Sequence, residues 1–285
     1  NNSGFEFSAT YRNRDRDFKY ELSANLSTLR NRVTSLGFGT DSYISGAYIT
    51  NVGQEIGQFY GWAYEGIART QEDLDNHATQ EGARIGDCLY KDVSGPDGKP
   101  DGKIDANDQV VLGSGMPKIH FGFNARFEYK RFDLSIATFG ALNYHVSDDI
   151  YNSLNSCYGW GNKEVRMLDA NRFSEDGSTY LSNMPRTYVT NNASLAWNDL
   201  FSSRKIQNAA YWKIANVELG YNFPNEWFGK YVSDVRFYVS AQNLHTFTGY
   251  HGYNVDYAGG TFTPGYNFCS YPTARTFMCG VHFTF

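Results

Sequence analysis

Residues 97–108 read D-G-K-P-D-G-K-I-D-A-N-D, a dense run of hard oxygen donors. Asp97, Asp101, Asp105 and Asp108 fall at the first, fifth, ninth and twelfth positions of a calcium-loop pattern. Gly102 stands at the sixth position, where the chain must turn sharply, and Ile104 at the apolar eighth. Such a loop can converge several oxygens on a hard cation, so these four aspartates are the candidate metal ligands, for calcium. Lys99 at the third ligand position, Pro100, and an Asp where a bidentate Glu is usual depart from the pattern. An acidic turn cluster of Asp and Gly accounts for the same residues without a metal. A second chemistry is stacking. Tyr151, Tyr158 and Trp160 form one aromatic group, and Tyr250, Tyr253, Tyr257 and Tyr266 another. Aromatic faces with amides nearby suit sugar rings and their hydroxyls, which makes Trp160 and Tyr253 the candidate substrate contacts. Loop cores and interfacial girdles of a barrel use the same residue types. The six histidines are scattered, and there is no nucleophile elbow, phosphate loop or zinc-helix motif, so no catalytic residue is expected. Cys88, Cys157, Cys269 and Cys279 lack zinc spacing, and their spacing does not choose between free thiols and a bridge.

The elements that must carry these residues are strands. Tyr 22, Phe 21 and Trp 5 make the 285-residue chain 17% aromatic on a polar background, with mean hydropathy −0.52. A net charge of −5 speaks against a nucleic-acid partner. No apolar run is long enough for a transmembrane helix. A membrane β-barrel is polar on average because only every second strand residue faces lipid.

Alternation of period two predicts seven long strands. Phe5, Phe7, Ala9 and Tyr11 share a face in the first, and Phe18 to Leu26 alternate in the second. Ile119 to Tyr129 and Phe132 to Thr138 give the third and fourth. Ala215, Val217, Leu219, Tyr221 and Phe223 line one face of the fifth. Val235 to Ala241 give the sixth, and Phe277 to Phe285 the last. Arg126, Glu128, Glu218 and Arg236 all fall on the opposite, polar face, as a watery lumen would require. Connections alternate between short turns and long segments, at about 31–116, 141–210 and 248–273. An up-and-down outer-membrane barrel has short periplasmic turns and long outer loops, and the final strand then ends at the periplasm. A soluble sandwich predicts shorter strands and more frequent turns. An odd strand number with two open edges cannot close in lipid, so residues 1–285 are expected to be part of a larger barrel.

Four segments strengthen this reading. GQEIGQFYGWAYEGI (53–67) and GDCLYKDVSGPDGKPDGKIDANDQVVLGSGMPKIHFGF (86–123) resemble segments of the SusC-like (RagA-type) TonB-dependent outer-membrane transporters. So do FYVSAQNLHTFTGYHGYNVD (237–256) and the closing YPTARTFMCGVHFTF (271–285), where Ala274 replaces a more usual Pro. The resemblance implies the C-terminal part of a 22-stranded all-β barrel, with the plug and N-terminal strands outside this chain. It also implies a SusD-like surface lipoprotein, energy from TonB–ExbB–ExbD through the N-terminal part, and import of nutrients, glycan oligosaccharides first. No cofactor is required on this reading, and no enzymatic activity is expected. The competing class is a secreted β-rich carbohydrate-binding protein or glycan-degrading enzyme that uses the same aromatics.

Overall fold

The computed structural model describes residues 1–37, 39–158, 161–188, 197–228, 232–256 and 259–285. Its dominant element is one antiparallel sheet of seven strands: β1 Glu6–Asn13, β2 Phe18–Thr28, β3 Ile119–Tyr129, β4 Phe132–Leu142, β5 Tyr211–Asn222, β6 Asp234–Thr248 and β7 Thr276–Thr284. Each strand pairs with its neighbour in chain order, the up-and-down pattern. β3 has 11 residues. At about 3.3 Å per residue and a tilt near 40°, such a strand rises roughly 27 Å, close to the apolar band of an outer-membrane barrel.

Register puts like with like. Phe7 faces Leu26, Leu26 faces Phe121, Tyr129 faces Phe132, Leu134 faces Leu219, Leu219 faces Val239, and Val239 faces Cys279. This apolar face is not covered by a second sheet: Val239 is 42% exposed and Phe283 52%. The sandwich alternative, which needs that cover, fails here. Aromatic neighbours gather toward the short-turn ends, with Phe18 stacked on Phe127 at 6.0 Å and Phe132 tilted against Tyr221 at 4.8 Å. Rings at this level of a strand are what an interfacial girdle uses.

The regular alternation is interrupted once in the upper half of β5 and β6. Asn216 pairs with Gln242, but the next pair is Ile214 with His245. Asn243 takes a left-handed conformation there, with φ 51°. The bulge shifts the apolar face onto Ile214 and Trp212, and Trp212 stacks on Phe247 at 5.2 Å. β4 and β6 also run further than alternation predicts, to Leu142 and Thr248.

The tightest packing lies outside the seven strands. Tyr90, Tyr180, Phe59, Val146, Cys88 and Cys157 are fully buried, and all belong to the long connections 29–118 and 143–210. The first connection folds into a four-stranded antiparallel sheet whose outer strands are Ser42–Ser45 and Gln109–Ser114. The long connections are therefore a packed cap at one end of the wall.

Candidate functional site

The cap is assembled around buried polar groups. Asp87 is almost fully buried, because Arg186 pairs with its Oδ1 at 2.6 Å and Asn198 Nδ2 donates to the same oxygen at 2.8 Å. Asn198 in turn accepts from the Cys88 amide at 2.7 Å. Arg69 donates to the carbonyls of Tyr180 and Ser182 at 3.0 and 2.5 Å. These bonds tie the first long connection to the second. The third is held by Asp148, which accepts from the Tyr250 hydroxyl and from Asn267 Nδ2, and by Lys213, whose ammonium pairs with Asp256 at 2.6 Å. Buried polar groups satisfied in this way fix one arrangement, since each costs energy when unpaired.

The aspartates of the candidate calcium loop do different jobs. Asp108, fully buried, accepts from the amides of Val93, Ser94 and Asp105 at 2.9, 3.1 and 2.8 Å. Asp105 caps the short helix Ala106–Asp108 by accepting from Asn107 N at 2.7 Å. Asp101 accepts from Lys103 N at 3.0 Å, and Asp97 is exposed. Gly102 makes the expected left-handed turn, φ 81°, and Ile104 packs with Cys88 and Tyr90. Among the described residues no three His, Cys, Asp or Glu side chains gather as metal ligands.

Of the two candidate substrate contacts, Tyr253 is 65% exposed at the tip of the third long connection. Its neighbours anchor it: Tyr250 and Val255 are buried, and His251 stacks on Tyr151 at 5.8 Å. Trp160 lies outside the described residues, as does Tyr257. Tyr151 also carries the Arg166 guanidinium 5.0 Å from its ring centroid, so it is engaged within the cap.

Two clefts flank the short helix Gln71–Asn76, whose start is fixed by a capping box between Thr70 and Asp73. One, about 860 Å³, is bordered by Gln80, Arg84, Phe173 and Arg186; the other, about 820 Å³, by Glu65, Arg69, Glu72 and Lys91. Sequence reasoning missed both: the walls of the first come from segments some 90 residues apart, those of the second all lie within residues 65–93, and neither carries a motif.

The thiols are free, and burial pushes those of Cys88 and Cys157 up to about 12. A thiol so far from ionising is not a nucleophile at neutral pH. His145 and His77 serve the packing, His77 facing Glu65 at 3.4 Å. Among the described residues the arrangement offers binding surfaces of aromatics, amides and guanidinium groups, and no paired nucleophile and base.

No family model matches the chain. It is 30% identical to TonB-dependent receptor P3 of Formosa agariphila over its whole length, which is 28% of that protein. It is 24% identical to TonB-dependent receptor SusC of Bacteroides thetaiotaomicron, again over its whole length and 26% of that protein. The fold matches the structure of the RagAB peptide transporter with a TM-score of 0.77 at 22% identity, over the whole chain and 29% of the solved one. The chain thus spans less than a third of the length of the relatives it matches.

Proposed function

We propose that this chain is the C-terminal barrel portion of a SusC-like TonB-dependent receptor, like the relatives it matches over its whole length, and that it supplies part of the wall and mouth of an active outer-membrane importer. The carrying observation is the division of the seven-stranded sheet. One face is predominantly apolar, the other holds the ion pairs, and a packed cap crowns one end. Such a sheet suits lipid on one side and a wet lumen on the other. On this reading the remaining strands and the plug belong to a polypeptide several times longer. The cap faces outward, where it meets a SusD-like lipoprotein, and Phe285 ends at the periplasmic side. TonB–ExbB–ExbD drives transport through the N-terminal part. The segment performs no bond chemistry and needs no cofactor.

Glycan oligosaccharides are the first cargo class, supported by exposed Tyr253 and the amide-lined cap. Peptides are the second, supported by the fold shared with a structure described as a peptide transporter. The test is uptake of labelled oligosaccharides by cells carrying the complete receptor, with and without a protonophore. Capture that survives and uptake that stops on de-energising support the importer. Undiminished uptake by de-energised cells would make it a passive pore.

A further inference from the structure

The ladder between β1 and β2 runs past the top of the sheet without a change of register. Glu6 faces Ser27, Ser3 faces Arg30 and Asn2 faces Asn31, and the Arg32 amide donates to the Asn1 carbonyl at 2.8 Å. Alternation therefore carries the apolar face of Leu26 on to Arg30 and Arg32. Asn31 marks the opposite side, its Oδ1 accepting from the Ile56 amide of the cap at 2.9 Å. Below the two arginines the face is open hydrocarbon, with Phe5 84% and Leu26 44% exposed. Among the described residues the seven strands place no Asp, Glu, Lys or Arg on that face. At about 3.3 Å per residue and a tilt near 40°, Arg30 stands roughly 5 Å and Arg32 roughly 10 Å above Thr28, where the apolar band ends. The headgroup layer occupies roughly 5–8 Å on each side of a bilayer's hydrocarbon, and a long arginine side chain reaches it from either position. Both side chains are exposed, and neither guanidinium has an ion pair or hydrogen bond among the described residues. They border a cleft of about 540 Å³ lined also by Asn1, Ser3, Val52 and Gly53, with no carboxylate in its lining. The cap roofs it: Val33 bonds Gly53 and Gln54 through its carbonyl and amide at 2.8 Å, and a Cβ on Gly53 would lie 3.7 Å from Arg32 Nη2. Two like charges on one face of one strand repel, and an anion between them relieves it.

We infer that Arg30 and Arg32 hold the phosphate of an outer-leaflet lipid whose acyl chains lie down Phe5, Phe7 and Leu26. The inference rests on the importer reading, which puts the cap end of the wall outside and the apolar face in lipid. A guanidinium meets phosphate oxygens through paired N–H donors, and two of them suit a doubly charged group. The occupant follows from the place. A free anion gains nothing from the hydrocarbon wall beneath the cleft, and an acidic protein would have to enter the headgroup layer to reach Arg30. A phosphate-bearing lipid brings charge and acyl chains in the order in which the wall presents their complements. Bound there, it steadies the junction at which the connection 29–118 leaves the wall.

The test uses the complete receptor purified in mild detergent with whatever lipoprotein accompanies it. A receptor that stays soluble and monodisperse after detergent removal takes away the membrane reading before any lipid is added. Native mass spectrometry then titrates delipidated receptor with phosphorylated lipid A, with the same lipid A after phosphatase treatment, and with inorganic phosphate. The phosphorylated lipid is expected to bind at least about tenfold tighter than the dephosphorylated one, without competition from inorganic phosphate. Arg30→Gln and Arg32→Gln should each weaken it about fivefold, and Arg126→Gln, which removes the same charge from the opposite face, should leave it unchanged. Melting of each variant separates lost contact from lost fold, and the phosphatase comparison stands without any variant. Equal retention of the two lipids, or an affinity untouched in the double Arg30→Gln, Arg32→Gln variant, overturns the site. Displacement of the lipid by inorganic phosphate would make it a site for the free anion and overturn the lipid. Loss of the accompanying lipoprotein from the double variant, with lipid retained, would make the pair a protein contact and overturn it too.

Discussion

Arg236 on β6 reaches Asp133 on β4 across the intervening strand, donating from Nε to Oδ2 at 3.1 Å and from Nη2 to Oδ1 at 2.5 Å. The bridge passes over Gly220 of β5, the residue opposite Asp133. A Cβ there would lie 2.4 Å from both Arg236 Nη2 and Asp133 Oδ2. Glu218 completes the cluster by accepting from Arg236 Nη2 at 2.8 Å. Three strands are thus stapled on the polar face beside the short turns, where Arg126 also pairs with Glu128 at 3.1 Å and Arg12 with Glu21 at 2.9 Å. Gly220→Ala is expected to part Arg236 from Asp133 and destabilise the folded barrel by about 1–3 kcal/mol, the range of a lost charge-assisted pair. Denaturant unfolding in lipid vesicles measures it. Asp133→Ala should cost a similar amount, and the double variant little more than either, since both remove one interaction. Additive losses would mean that Gly220 acts through the backbone alone.

Part of this architecture was legible beforehand. Alternation gives the face of a residue, so the apolar wall and the charges Arg126, Glu128, Glu218 and Arg236 could be placed. It does not give register, so nothing tied Arg236 to Asp133 two strands away. The bulge at Ile214 and His245 also escaped notice, because one inserted residue leaves each half of the strand looking regular. In the cap, short strands such as Cys88–Tyr90 carry too few residues for a periodic signal, and contacts such as Asp87 with Asn198 close over 111 positions. The cleft of Gln80, Arg84 and Phe173 belongs to that class: each residue type is ordinary, and only the folded cap brings them together.

The acidic loop offers a direct contrast between two of its members. Asp108 satisfies three backbone amides from a fully buried position, whereas Asp97 is exposed. Asp108→Ala is expected to destabilise the cap by about 2–3 kcal/mol, because buried amides lose a charged acceptor. Asp97→Ala should change it by less than about 0.5 kcal/mol. Limited proteolysis of the cap, run with calcium and with a chelator, reads both effects. Equal protection in the two buffers fits carboxylates occupied by backbone. Added protection by calcium that Asp97→Ala abolishes would show that the loop closes on a cation.

The cap should also loosen in acid. His145 sits half-buried where the second connection leaves β4, and burial lowers its pKa below the ordinary 6.5, partly offset by a hydrogen bond with the Ser114 backbone. The unfolded cap therefore takes up the proton more readily than the folded one. Stability from this group is complete above about pH 6.5 and falls as the pH drops through that value toward the folded pKa. Protection factors of the cap amides, with exchange corrected for the pH dependence of the intrinsic rate, are expected to fall between neutral and mildly acidic buffer. His145→Gln should flatten that part of the profile. An unchanged profile in His145→Gln would assign the acid sensitivity to other groups.

The four cysteines report on sidedness in one experiment. Cys88 and Cys157 are buried in the cap, and burial pushes their thiols up to about 12, so both access and ionisation protect them. Cys269 is exposed in the third long connection. Cys279 is exposed too, but on β7 it lies opposite Val239 in the apolar face, where lipid would cover it. A membrane-impermeant maleimide added to intact cells is expected to label Cys269 alone. A lipid-soluble maleimide should then reach Cys279, and Cys88 and Cys157 should react only after denaturation. Labelling of Cys269 only after the outer membrane is permeabilised would turn the barrel over and put the cap in the periplasm. Labelling of Cys279 by the impermeant reagent as fast as Cys269 would place the apolar face in water and end the membrane reading, because no other covering for that face exists among the described residues.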